Sequence, residues 1–248
     1  VRYSSWYELY NVYLTVDTSN PKAAYLGNNT LFTGSPPITS PMSDSGYAGS
    51  QHKFLLMTEY GHVFADAKRG QVFLLGGNQV KEISLENVSK FFTEFLTFEI
   101  QKAFPDVNID NHYNTFGLHG VYDTKYNRFI LTKIDYKPLV AGITLVDNKF
   151  YYNDEEVSVS DTDLFCNYSF TVSYSFDTQS WISFHTYIPN YYIGDANLFY
   201  TGVNSEESSI WKHNTSMTLY NNFYGNIEPY ILEYPYSYQY NDEILQNI

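Results

Sequence analysis

The sequence predicts an all-β protein made of antiparallel, propeller-like blades, with one amphipathic helix inserted among them. Three observations predict it: an aromatic content of 19 %, a hairpin corner that recurs along the chain, and short apolar strands between the corners. Aromatic side chains fit a pleated, half-buried surface, so 26 Tyr, 18 Phe and 3 Trp favour strands over helices. The 248 residues are 44 % hydrophobic, enough to fill one large β domain or two smaller ones.

The corner is clearest in "SYSFDTQSWISFHTY", residues 173–187, which reads as two alternating strands joined at Asp177. Aligned on their aspartates, "LTVDTSN" at Asp17, "VFADAKR" at Asp66, "GVYDTKY" at Asp123 and "YSFDTQS" at Asp177 share an apolar strand, an Asp and a polar turn. An Asp side chain starts such a turn by accepting hydrogen bonds from backbone N–H groups two residues on. A spacing of about 50 residues in an all-β chain is that of four-stranded propeller blades. The expectation is therefore four equivalent corners in successive blades, making an incomplete propeller. A chance alignment of common Asp turns is the competing reading. Further strands are expected at "KFLLMTEY", "GITLVDNKFYYN", "NLFYTGV", "SIWKHNT" and "MTLYNNFYG", with Asp147-Asn148 as a hairpin turn.

Two stretches break the pattern. Residues 35–52, "SPPITSPMSDSGYAGSQH", are rich in Pro, Ser and Gly and predict an extended surface loop. Residues 84–104 predict the helix: Leu85, Val88, Phe91, Phe92, Phe95 and Leu96 follow helical spacing, Ser84 is placed to cap it, and Pro105 ends it. The expected role of this helix is to pack over a blade edge. Val1 at the start and Ile248 at the end suggest that residues 1–248 are part of a propeller-type domain in a longer chain.

Charge narrows the function classes. Asp and Glu number 27 against 14 Lys and Arg, a formal charge of −13, and Lys68-Arg69 is the longest basic run. Nucleic-acid binding through counterion release needs a basic stripe, and a negative field instead repels a polyanion over a Debye length of about 8 to 10 Å. Cys166 is the single cysteine, which excludes an internal disulfide and any CxxC site. No apolar run is long enough to cross a bilayer as a helix.

The search for reactive chemistry yields no catalytic, cofactor-binding or metal-binding residue to nominate. In "PDVNIDNHYNTFG", Asp106, Asn108 and Asp110 alternate as in a calcium loop, but Asn111 replaces the turn glycine and Gly117 the bidentate glutamate. Turns are the expected use of those side chains. His52, His62, His112, His119, His185 and His213 form no HxxxH or HExxH pair. Nucleophile-elbow, phosphate-loop and dinucleotide fingerprints are missing. Ser175, Asp177 and Trp181 approximate the Asp box of sialidase propellers, although Gln179 stands for its glycine. That box is structural, and three scattered arginines make no cluster to hold a sugar carboxylate. No pair among the 27 acids stands out as a glycosidase pair. The Tyr-rich "EPYILEYPYSYQY", with Pro229 and Pro235, reads as an edge or interaction surface.

Longer segments carry a resemblance. "YLGNNTLFTGSPP", "DSGYAGSQHKFLLMTEYGHVFADAKRGQVFLL", "HGVYDTKYNRFILTKIDY", "SYSFDTQSWISFHTYIPNYYI" and "LFYTGVNSEESSIWKHN" resemble the tail nozzle proteins of podovirus-type phages, most closely the muzzle proteins of crAss-like phages. The resemblance spans roughly Tyr25 to Tyr234 and implies a virion structural protein with propeller modules. It implies a ring of copies at the distal end of a short tail, contacts with other tail proteins and with other segments of the same polypeptide, and genomic DNA passing through the channel. No reaction and no cofactor are implied. A receptor- or glycan-binding propeller of the virion is the second reading, and a glycoside hydrolase the third.

Overall fold

The computed structural model describes residues 6–7, 38–39, 55–76, 79–85, 88–110, 116–202, 209–215 and 221–231. The chain divides into two units, Val1–Thr215 and Ser216–Ile248. Within the first unit the strands form several antiparallel sheets, so the all-β expectation holds. Of the expected 35–52 loop, Ile38 and Thr39 are described: strand β2 (Ile38–Thr39) pairs with β1 (Trp6–Tyr7). Asp17 lies outside the described residues.

The first sheet is a four-stranded meander, β3 (Leu55–Thr58), β4 (Gly61–Asp66), β5 (Gln71–Gly76) and β6 (Gln79–Glu82). The central sheet contains β7 (Gly117–Asp123), β8 (Arg128–Ile134), β14 (Phe170–Ser175) and β15 (Ser180–His185), ordered β15-β14-β8-β7. It too is a meander, but a lobe is inserted between its second and third strands. The lobe holds β9 (Tyr136–Pro138) paired with β13 (Phe165–Asn167), and the meander β10 (Thr144–Val146), β11 (Lys149–Tyr152) and β12 (Glu155–Val157). The third sheet is β16 (Tyr191–Asp195), β17 (Leu198–Gly202) and β18 (Trp211–Lys212). In the second unit, β19 (Asn222–Phe223) and β20 (Asn226–Ile227) form a hairpin through Tyr224 and Gly225, both at positive φ. Tyr230 and Ile231, in the stretch read as an edge or interaction surface, are exposed and outside any strand.

Alternation along β8 sorts the core into two layers. Phe129 and Leu131 face one way with Leu118, Val172 and Tyr174, and join Val63, Ala65 and Val72 of the first sheet. Aromatic rings tile this layer: Phe129 lies 5.4 Å from Tyr174 and 5.4 Å from Trp181, whose indole N–H donates to the Ile83 carbonyl at 2.9 Å. The opposite face presents Ile130 and Val121 to Phe199 and Tyr192 of the third sheet. A separate cluster, including Phe116, Ile134, Phe150 and Phe165, fills the inserted lobe.

The single helix expected over 84–104 is instead two short helices, α1 (Ser89–Phe95) and α2 (Glu99–Ala103). Ser84 does not cap α1; its hydroxyl accepts the Val72 N–H at 3.1 Å and donates to Glu82 at 2.8 Å, extending the first sheet. The break falls where the central sheet reaches up between the helices. Lys133 Nζ donates to the Phe95 and Thr97 carbonyls, each at 2.6 Å, and the Asp135 carboxylate accepts the Glu99 and Ile100 N–H groups at 2.8 and 3.1 Å. A cation thus meets the carbonyl end of α1 and an anion the N–H end of α2, which complements both helix dipoles. Phe92 and Leu96 are buried as expected, whereas Leu85 is exposed.

The corners also differ from the expected repeat. Asp66 and Asp123 each close a four-residue hairpin loop, paired across it with Gln71 and Arg128. At the third corner that position belongs to Ser175, paired with Ser180, and Asp177 sits two residues further, inside the loop. The Ser175 hydroxyl accepts the Thr178 N–H at 3.3 Å, the role that Asp66 plays toward Arg69 at 3.2 Å. Asp123 and Asp177 moreover lie at one end of the same sheet, so their separation is not one blade. Asp66 closes the second hairpin of its meander and Asp123 the first of its own. The corner recurs through local turn chemistry, while the blade-like unit is set by the order of strands.

Candidate functional surface at the hairpin end

The first hairpin turn of each large sheet comes to one end of the unit. These turns are Glu59-Tyr60 between β3 and β4, 124–127 between β7 and β8, and Ala196-Asn197 between β16 and β17. They meet because the first strands neighbour one another, β3 against β7 and β7 against β16. The 124–127 loop is central. It makes one 3-10 turn over Thr124–Tyr126 and leaves it through Asn127 in the left-handed region, φ 44° and ψ 50°. Asn is among the few side chains that adopt this conformation readily.

Asn127 joins the sheets. Its Oδ1 accepts the Tyr122 hydroxyl at 2.9 Å, while its Nδ2 donates to the Tyr60 hydroxyl at 2.7 Å and to the Asp177 carboxylate. Asp123, buried beside it, accepts from Arg128 Nε at 3.0 Å and from Asn214 Nδ2 at 2.9 Å. Thr124 donates to the Ala196 carbonyl and Lys125 to that of Asn214 at 3.2 Å, tying the loop to the third sheet. The Tyr126 ring lies between Lys125 and Arg128, at 5.2 and 5.0 Å. Exposed Glu59, Asp177 and Asp195 give this end a negative character. The Tyr122 phenol is held above its ordinary pKa by burial first, then by Glu59, Tyr60, Asp177 and Asp123.

Behind this end, a polar seam separates the central and third sheets. Thr132 bonds to the hydroxyls of Thr171 at 2.8 Å and Tyr192 at 2.7 Å, and Thr171 donates to the Tyr187 carbonyl at 2.7 Å. His185 pairs with Ser173 at 3.0 Å, and His213 with Thr201 at 2.7 Å while stacking on Phe199. The Tyr187 ring lies 5.0 Å from His185 and 6.1 Å from His213. Both imidazoles are pushed down to about 4: burial is the main cause for each, with Arg128 adding to it at His185 and Asp123 opposing it at His213.

Sequence-level candidates are dispersed. His62 and His119 lie on β4 and β7, in two different sheets, and His52 and His112 fall outside the described residues. Asp110 makes a turn: its carboxylate accepts the Leu118 N–H at 3.1 Å, and a side chain at Gly117 (φ 142°) would collide with it. Cys166 is exposed on β13. Among the described residues no group of three or more His, Cys, Asp or Glu could hold a metal ion, and no helix is long and apolar enough to cross a membrane. Asn127, Tyr60 and Asn214 were not singled out by sequence, although an Asn closing a turn before a β-rich run is a signal for left-handed backbone.

Comparison with known proteins adds no family: no protein-family model, no curated protein and no solved structure matches the chain.

Proposed function

We propose that this chain is a non-enzymatic structural component of a phage tail, supplying blade-like sheets to a propeller-type module of the distal nozzle. The observation that carries the architectural part is the order of the sheets. Three meanders lie face to face, and the first strand of each neighbours the first strand of the next. Propeller blades are arranged in this way, with first strands around an axis and later strands further out. Copies of the chain, other segments of its polypeptide and other tail proteins complete the ring through heterologous contacts.

The charge of −13 supports the channel role. A wall rich in carboxylates offers phosphates no partners, so DNA passes without adhering. Apolar packing on both faces of the central sheet and the Asn127 hydrogen bonds hold the three sheets together, as a conduit wall requires. Immunogold labelling of virions with an antibody against the chain tests this reading. Label at the distal tip of the tail is expected; label confined to the capsid, or none on intact particles, contradicts it.

A further inference from the structure

One aromatic ring at the hairpin end has surroundings that fix it in place. Tyr60 stacks on Phe176, ring centroids 4.4 Å apart and planes 12° from parallel, yet 44 % of the residue stays exposed. Phe176 covers one face of the ring. Asn127 pins the phenolic oxygen at 2.7 Å, so the phenolic proton is directed away from the amide. The same amide holds Asp177, whose exposed carboxylate keeps further acceptor positions. Glu59, also exposed, precedes Tyr60 in the turn.

We propose that Tyr60 is the stacking platform of a binding site for a neutral pyranose sugar, with Asp177 and the Tyr60 hydroxyl holding hydroxyls at the edge of the sugar ring. The apolar C–H face of a pyranose packs on an aromatic face, while its equatorial hydroxyls need acceptors and donors beside that face. Stacking on Phe176 and the bond from Asn127 order the platform before the ligand arrives, which lowers the entropic cost of binding. Glu59 and Asp177 repel sugar carboxylates, so sialic and uronic acids are selected against. The inference rests on the geometry of this turn and not on the tail reading, and either can fail alone.

Saturation-transfer NMR on the full chain, with the methyl pyranosides of glucose, galactose, mannose and N-acetylglucosamine, tests it. At least one neutral glycoside binds with a dissociation constant of about millimolar, and N-acetylneuraminic acid does not. Tyr60→Ala weakens that binding more than about tenfold, and Asp177→Asn about threefold. Val146→Thr, in the inserted lobe, leaves it unchanged. If Tyr60→Ala does not fold, Tyr60→Phe keeps the stacking face and retains partial affinity. Absence of binding by all four glycosides, equal binding by Tyr60→Ala, or preference for the acidic sugar overturns the proposal.

Discussion

The ammonium of Lys133 lies 2.6 Å from the Asp135 carboxylate, and both side chains are fully buried between the central sheet and the two helices. Burial lowers the Lys133 pKa, and Asp135 opposes that shift by charge and hydrogen bond. Because the pair also satisfies helix termini, it is more than an ion pair. Removing one partner strands a buried charge and bare backbone groups. Lys133→Met or Asp135→Ala is expected to cost about 3 to 5 kcal/mol, measured by urea unfolding. Removing both should cost less than the sum of the two single changes.

The seam between the central and third sheets makes stability fall with acid. His185 and His213 are neutral in the fold with pKa values of about 4, against 6.5 ordinarily. As pH drops below 6.5 the unfolded chain takes up protons first, so stability declines between 6.5 and about 4. Their contribution to the decline ends below that window. Each histidine accounts for about 3 kcal/mol at most. In the double variant His185→Gln/His213→Gln, the difference between urea midpoints at about pH 7 and about pH 4.5 should shrink.

Asn127 is expected to be sensitive twice over, through backbone and side chain. Asn127→Gly keeps the left-handed turn but loses the bonds to Tyr122, Tyr60 and Asp177. Asn127→Ala loses both and should be less stable than the glycine variant by about 1 kcal/mol. Thermal unfolding of the two variants checks the ordering. Equal stability would show that the turn imposes no backbone demand.

Two hairpin turns of the inserted lobe place consecutive residues at positive φ, Asp147-Asn148 and Asn153-Asp154. Both are of the type that favours glycine at the second position. In Asn148→Gly and Asp154→Gly the easier positive-φ conformation offsets the added freedom of the unfolded chain, so urea unfolding should show a change in stability of less than about 1 kcal/mol. Asn148→Val should lower it by about 1 to 2 kcal/mol.

Much of this fold was legible locally. Aromatic strands, the turn at Asp147-Asn148 and the Asp66 and Asp123 loops follow from residues within a few positions of one another. The third corner closes at Ser175, two residues before Asp177, because a serine hydroxyl there does what a carboxylate does elsewhere. The helix departs from its sequence pattern for a non-local reason: its break is set by Lys133 and Asp135, more than thirty residues along the chain from the backbone groups they bind. The insertion of the β9–β13 lobe within the central sheet is likewise a matter of strand pairing across a long intervening stretch. The hairpin-end surface was hidden because Tyr60, Asn127 and Asp177 come from three separate turns, and no spacing rule relates them.

Electron cryomicroscopy of the assembled protein tests the central claim most directly. The account predicts a ring of copies around a channel wide enough for DNA, with β3, β7 and β16 side by side as the innermost strands of adjacent sheets. Isolated copies with those strands at the periphery, or a ring whose channel is closed to duplex DNA in every state, would contradict it.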